Sequence, residues 1–230
     1  MESLPKLEND IGVTFDNKKL LKQSLVHRSY LNEHPKFELD HNERLEFLGD
    51  AVLEIIVTEY LYLNYPDKPE GELTNWRASL VNSHMLAEVA KRIELEDHLY
   101  LSKGEAKDKN TKARQFILAN AVEALIGAIY LDQGRKAAEK FVHELILSRL
   151  DYILEHKLYL DAKSKFQEKS QEEYGVTPHY KVLQEYGPDH NKEFEIGVYL
   201  GEELVAKAVG TSKQEAQTKA AQNAITRKGW

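Results

Sequence analysis

Two short stretches of this 230-residue chain place acidic side chains at helical spacing inside otherwise apolar runs. They are Asn42-Glu-Arg-Leu-Glu-Phe-Leu-Gly-Asp50 and Leu118-Ala-Asn-Ala-Val-Glu-Ala-Leu-Ile-Gly-Ala128. Glu43, Glu46 and Asp50 fall at i, i+3 and i+7, and Asn120 and Glu123 at i and i+3, so each set projects from one face of its helix. An isolated carboxylate is expensive to bury, so acids in such runs point to oxygens that are paired or bound to a cation. The bland alternative is two amphipathic helices with polar faces in water, and it must explain both segments at once. The chain has no cysteine, which leaves carboxylates, amides and histidines as ligands. Such a set suits a hard cation such as magnesium, able to activate water for hydrolysis, and excludes disulfides, zinc knuckles and thiol catalysis.

The elements that must hold these residues are helical. From Lys18 to about Leu154 apolar residues recur at three and four, with breaks at His34-Pro35, Tyr65-Pro66-Asp67-Lys-Pro69 and Ser102-Lys-Gly104. The charged run from Ala106 to Arg114 reads as a surface connector leading into the second acidic helix, with direct contact to the substrate as the alternative. Around Leu158-Tyr-Leu-Asp161 the pattern changes. An amphipathic helix, Ala162 to Tyr174, stops at Gly175; strands are expected over Thr177 to Glu185, Glu193 to Leu200 and Glu203 to Gly210. A last helix runs from Ser212, its expected cap, to about Arg227. This divides the chain into an all-α part, 1–157, and a small α-β-β-β-α part, 161–230.

Composition bounds the rest. No apolar run approaches the roughly 20 residues of a membrane span, and Met1-Glu-Ser-Leu-Pro5 lacks the look of a signal peptide, so a cytoplasmic protein with no membrane partner is expected. The formal charge of −7 argues against a nonspecific electrostatic binder of nucleic acid. Residues 161–230 carry ten Lys plus Arg against eleven Asp plus Glu, which predicts modest affinity even there.

The first stretch resembles the signature of the ribonuclease III family and the second that family's other metal-ligand segment. Leu25-Val-His-Arg-Ser-Tyr30, Pro69-Glu-Gly-Glu-Leu73, Arg77-Ala-Ser-Leu-Val-Asn82 and Ala128-Ile-Tyr-Leu-Asp-Gln-Gly134 stand in the family's order, so the resemblance covers nearly the whole chain. It implies that Glu46, Asp50, Asn120 and Glu123 occupy metal-ligand positions for Mg2+, with Mn2+ as a substitute, and that Asp50 and Glu123 are also the catalytic positions. Glu43 and Glu70 match acidic positions near the scissile phosphate, although Glu43 could instead pair with Arg44 or Arg28. The family pattern has aspartate where this chain has Asn120. An amide oxygen can coordinate a hard cation but brings no charge. Three readings stay open: a tolerated natural variant, a weakened or binding-only protein, and a deliberate trapping substitution.

The second part is similar to the double-stranded RNA-binding domain. Phe166-Gln-Glu168, Gly187-Pro-Asp-His190 with Phe194, and Gly210-Thr-Ser-Lys213 with Glu215-Ala216 carry that likeness. It implies RNA contacts from Gln167, His190, Ser212, Lys213 and Gln214, of which His190 taken alone reads equally as a turn histidine. The family usually opens its last helix with two basic residues; here Gln214 follows Lys213 and residue 217 is Gln217, so one phosphate contact is expected to be lost.

The resemblance implies a metal-dependent endoribonuclease that cuts double-stranded RNA to 5′-phosphate and 3′-hydroxyl ends in processing ribosomal and messenger precursors. It acts as a homodimer whose signature helices pack together. Periodicity leaves Phe47, Leu48, Val52 and Leu53 open between a dimer seam and a monomer core, and Gly49 open between approach by another helix of this chain and by a partner. Alternatives of other classes are a double-stranded RNA-binding protein with weakened or lost catalysis and a helical scaffold with no RNA role.

Overall fold

The computed structural model describes residues 4–109, 111–188 and 192–230, and they fall into two compact units that divide between His156 and Lys157. The first is helical: α1 (Leu4–Ile11), α2 (Lys18–Ser24), α3 (Arg28–Glu33), α4 (Glu43–Asn64), α5 (Glu70–Val81), α6 (Ser83–Arg92), α7 (Lys103–Lys107), α8 (Lys112–Gln133), α9 (Arg135–Leu145) and α10 (Leu150–Glu155). The second runs α11 (Ala162–Tyr174), β1 (His179–Tyr186), β2 (Glu193–Leu200), β3 (Glu203–Gly210) and α12 (Lys213–Lys228).

The crossing of α4 and α8 organises the first unit. Twelve residues of α8 are buried, among them Leu118, Val122, Leu125 and Ile129, because α2, α4 and α6 all pack on it. This gives α8 the length and apolar content of a membrane span, contrary to the expectation that no run came close; more than half of it is buried inside the unit, as befits a central helix. It starts on Thr111, whose side chain accepts from the Arg114 N–H at 3.1 Å, and ends at Gly134 with φ +78°. The start of α4 is fixed by buried Asn42, whose backbone N–H donates to the Val26 carbonyl at 2.8 Å and whose Nδ2 donates to the Ser24 carbonyl at 3.1 Å. Glu43 and Glu46 in its first turn complement the helix dipole.

Glycine at both faces of the crossing lets the two backbones touch. A methyl group built on Gly49 would overlap the Glu123 carbonyl oxygen and lie 2.9 Å from the Gly127 nitrogen, and one on Gly127 would overlap the Leu45 carbonyl oxygen. The close approach at Gly49 is therefore made by α8 of the same chain. Val52 and Leu53 belong to the core of the unit, whereas Phe47 is 82% exposed.

Two local expectations are corrected. Ser102 is not part of a break: it caps α7, accepting from the Glu105 N–H at 3.2 Å, and Lys103 and Gly104 are helical. Nor is the 106–114 run a surface connector throughout. Arg114 is buried, because it lies at i, i+3, i+4 and i+7 with Ile117, Leu118 and Ala121, and its guanidinium donates to the Glu105 carbonyl and faces Glu96 at 3.7 Å.

In the second unit the strands form an antiparallel sheet, β1-β2-β3, with Val182 opposite Ile196 and Ile196 opposite Ala208. Period-two alternation sends Val198 and Val205 inward, where Phe166 of α11 and Ala220, Ala221, Ala224 and Ile225 of α12 complete the core. Small alanines allow α12 to lie close on the sheet. β1 begins two residues later than expected, since Pro178 has no N–H to give a ladder.

Candidate active site and nucleic-acid interface

The α4/α8 crossing brings Glu46 and Asp50 from one helix to Asn120 and Glu123 from the other. Burial is the main force acting on Glu123: together with the charges of Asp50, Glu46 and Glu54 it pushes the carboxyl from 4.5 up to about 7. Glu46 is also raised, first by burial and then by the charges of Glu43 and Asp50, while a hydrogen bond with the Asn120 side chain opposes the rise. Glu46, Asp50 and Glu123 therefore press on one another, with the Asn120 amide as a neutral partner of Glu46. Asn120 relieves that pressure at Glu46, where an aspartate would add to it.

All available donors are oxygens, which fits magnesium better than a soft metal. No group of three His, Cys, Asp or Glu among the described residues is gathered closely enough to close around an ion.

The other assigned acids are placed differently. Glu43 opens α4 and pairs with Arg28 at 3.2 Å rather than with Arg44, with His41 at 3.7 Å. Glu70 opens α5, is exposed, accepts from Thr74 Oγ1 at 2.8 Å, and is not among the neighbouring charges that raise Glu46 or Glu123. It lines an open cavity of about 620 Å³ with Thr58, Leu61, Tyr65, Leu73 and Arg77. The sequence reading missed Glu54. It lies one turn beyond Asp50 and acts on Glu123, and Arg77 steadies it at 3.1 Å while donating to Thr58 Oγ1 at 3.0 Å. Its i+4 spacing from Asp50 was the available signal.

In the second unit Gln167 is exposed on α11. Ser212 caps α12 by accepting from the Glu215 N–H at 3.1 Å, which leaves Lys213 and exposed Gln214 in the opening turn. Lys213 lies 5.3 Å from the Phe194 ring centre and 3.6 Å from Glu185. His190 lies outside the described residues.

Comparison with known proteins agrees with this architecture. Residues 17–150 match the ribonuclease-III-like family and residues 162–227 the double-stranded RNA binding motif. The chain is 41% identical to ribonuclease 3 of Nitratiruptor over 98% of its own length and 96% of the relative's. It is 42% identical to ribonuclease 3 of Campylobacter fetus over 96% of each. Among solved structures, the nuclease domain of ribonuclease III from Campylobacter jejuni superposes with a TM-score of 0.57 at 38% identity, covering 65% of this chain and 97% of that one. The chain belongs to the ribonuclease III family: it is a ribonuclease III-type endoribonuclease with a helical nuclease domain followed by a double-stranded RNA-binding domain.

Proposed function

We propose that the protein is a magnesium-dependent homodimer that cuts double-stranded RNA to 5′-phosphate and 3′-hydroxyl ends, with ribosomal and messenger precursors as substrates. The observation that carries this reading is the set of mutually repelling acids on the α4/α8 crossing, where Glu123 is held near neutrality. Glu46, Asp50, Asn120 and Glu123 would hold the ion, which supplies an activated water and neutralises charge on the attacking and leaving oxygens. The chain's own part is to fix the carboxylates at one helix crossing, where burial and mutual repulsion leave them in need of a cation. Manganese, also an oxygen-binding ion, would substitute. The RNA-binding domain contributes capture, through Gln167, Ser212, Lys213, Gln214 and His190, while Glu43 and Glu70 would stand near the scissile phosphate. End chemistry is read directly: products of a labelled duplex should accept removal of a 5′-phosphate and extension from a 3′-hydroxyl, and 3′-phosphate ends would refute the reading.

Dimerisation rests on the face of α4 turned away from α8. Phe47, Ile55 and Tyr62 are 82%, 52% and 71% exposed, and the cavity beside Tyr62 offers an apolar recess. A related structure from Campylobacter jejuni is described by flexibility in a region involved in dimer formation of the nuclease domain. Phe47→Asp should weaken self-association by about 100-fold, the loss typical of a buried aromatic anchor, and sedimentation should then give a monomer. A dimer as tight as the parent's would place the interface elsewhere.

Asn120 favours a second reading, RNA binding with weakened catalysis. Asn120→Asp adds a charged oxygen beside Glu123, so the magnesium concentration for half-maximal cleavage should fall. Rates that converge at high magnesium mark asparagine as a milder ligand, and an aspartate form far faster at saturation marks the parent as catalytically weakened. Identical magnesium dependence and identical rates would remove position 120 from the site.

A further inference from the structure

The RNA-binding domain holds one lysine between its two helices. Lys163, half-buried in the first turn of α11, donates from Nζ to Gln217 Oε1 of α12 at 2.8 Å, and its Nζ lies 5.2 Å from the centre of the Tyr180 ring. An ammonium can only donate, so the amide oxygen must face it and the amide nitrogen must turn away. Gln217 is neutral, so this contact orients the charge without cancelling it. In the same domain Lys169, Lys207, Lys213 and Lys219 each have a carboxylate at 2.6 Å, 2.9 Å, 3.6 Å and 2.8 Å. Among the described residues no carboxylate lies within ion-pair distance of Lys163, as is also true of Lys165 and Lys181, and its charge acts at longer range on Asp161, the cap of α11.

Its position matters as much as its charge. Lys163 is one turn before Gln167 on α11, and Gln217 is one turn after Lys213 on α12, so the pair joins the helix faces that bear both sets of expected RNA contacts. A glutamate at 217 would hold the lysine equally well but neutralise it. A missing basic residue at 214 costs one charge at the helix opening, and an ammonium outside any direct ion pair on the neighbouring helix restores one.

We propose that Lys163 is a phosphate-contacting residue of the RNA-binding domain, oriented by Gln217 and Tyr180, and that it stands in for the basic residue absent at 214. The proposal rests on the double-stranded RNA-binding reading and adds a residue to it. It is tested with the full chain, a short perfect RNA duplex and a chelator to prevent cutting, by measuring Kd across a series of KCl concentrations. Each phosphate neutralised by a cation contributes a slope of about 0.9 in log K against log salt, by the value for duplex DNA. Lys163→Met keeps the aliphatic stem on Tyr180 and should weaken binding roughly 5- to 10-fold while the slope falls by about 0.9. Gln217→Glu keeps the contact as an ion pair and should lower the slope similarly, so the test survives if the first variant folds poorly. Gln217→Met should leave the slope unchanged. Parent affinity and parent slope in both Lys163→Met and Gln217→Glu overturn the proposal, as does weaker binding with an unchanged slope, which would make Lys163 a strut alone. A parent chain that binds no duplex would overturn the RNA-binding reading itself, and this assignment with it.

Discussion

Glu123→Gln should lower the rate of duplex cleavage by on the order of 10³-fold or more while duplex affinity stays within about twofold of the parent, because under the proposed function it removes a shared metal ligand and leaves the RNA-binding domain's contacts intact. The same substitution should stabilise the protein in the absence of divalent ions. Burial and the charges of Asp50, Glu46 and Glu54 raise the folded carboxyl from 4.5 to about 7. Between these values the folded state retains a proton that the unfolded chain has released, so stability falls as pH rises from 4.5 to 7 and stays low above. Glutamine avoids that loss. After allowance for the solvent that still reaches the group, the gain at pH 8 should be about 1 kcal/mol, and it should vanish at pH 4.5 or below. Melting curves with chelator at the two pH values check the sign. A variant less stable than the parent at pH 8, or one that still cleaves within a few-fold of it, would contradict the assignment of Glu123.

The second large effect is expected from Gly49→Ala. The added methyl meets the Glu123 carbonyl, part of the α8 backbone, so no side-chain rotation can relieve the overlap. The helices must separate, at a cost of about 3 kcal/mol or more, equivalent to a fall in melting temperature of about 6–12 °C. Cleavage should fall further than the folded fraction, because Glu46 and Asp50 then move away from Asn120 and Glu123. Gly71→Ala is the control. Gly71 sits in the first turn of α5 with nothing within 4 Å of a built methyl, so alanine should be neutral or slightly stabilising there. Equal melting temperatures for Gly49→Ala and the parent would mean that the crossing is looser than described.

Much of this arrangement is legible in the chain because two periodicities state it plainly. The i, i+3, i+7 acids and the i, i+3 pair mark their helix faces, and the alternation of Glu193–Leu200 and Glu203–Gly210 gives β2 and β3 to the residue. Ser212 and Gly175 mark helix ends by their chemistry, one a side-chain cap and the other a left-handed residue at φ +66°. Two of the misses share one cause, since polarity without phase does not place a residue on a face. Arg114 sits among charged neighbours and is nevertheless on the buried face of α8. Glu54 looks like surface charge until its turn is counted from Asp50. Phe47, which periodicity left open between core and dimer seam, is exposed, because a helix packed on one side leaves its opposite face in the open. Five-residue α7 is too short to carry a periodic signal and is held by its cap and by Arg114.

The central claim is that the acids on the α4/α8 crossing cut duplex RNA with a divalent cation. A single-turnover time course with end-labelled duplex, protein in excess and saturating magnesium tests it most directly. The account predicts discrete shorter products, their complete loss when chelator is added, and their return when magnesium is restored. Duplex that is bound at saturation yet remains intact at every magnesium and manganese concentration would contradict it.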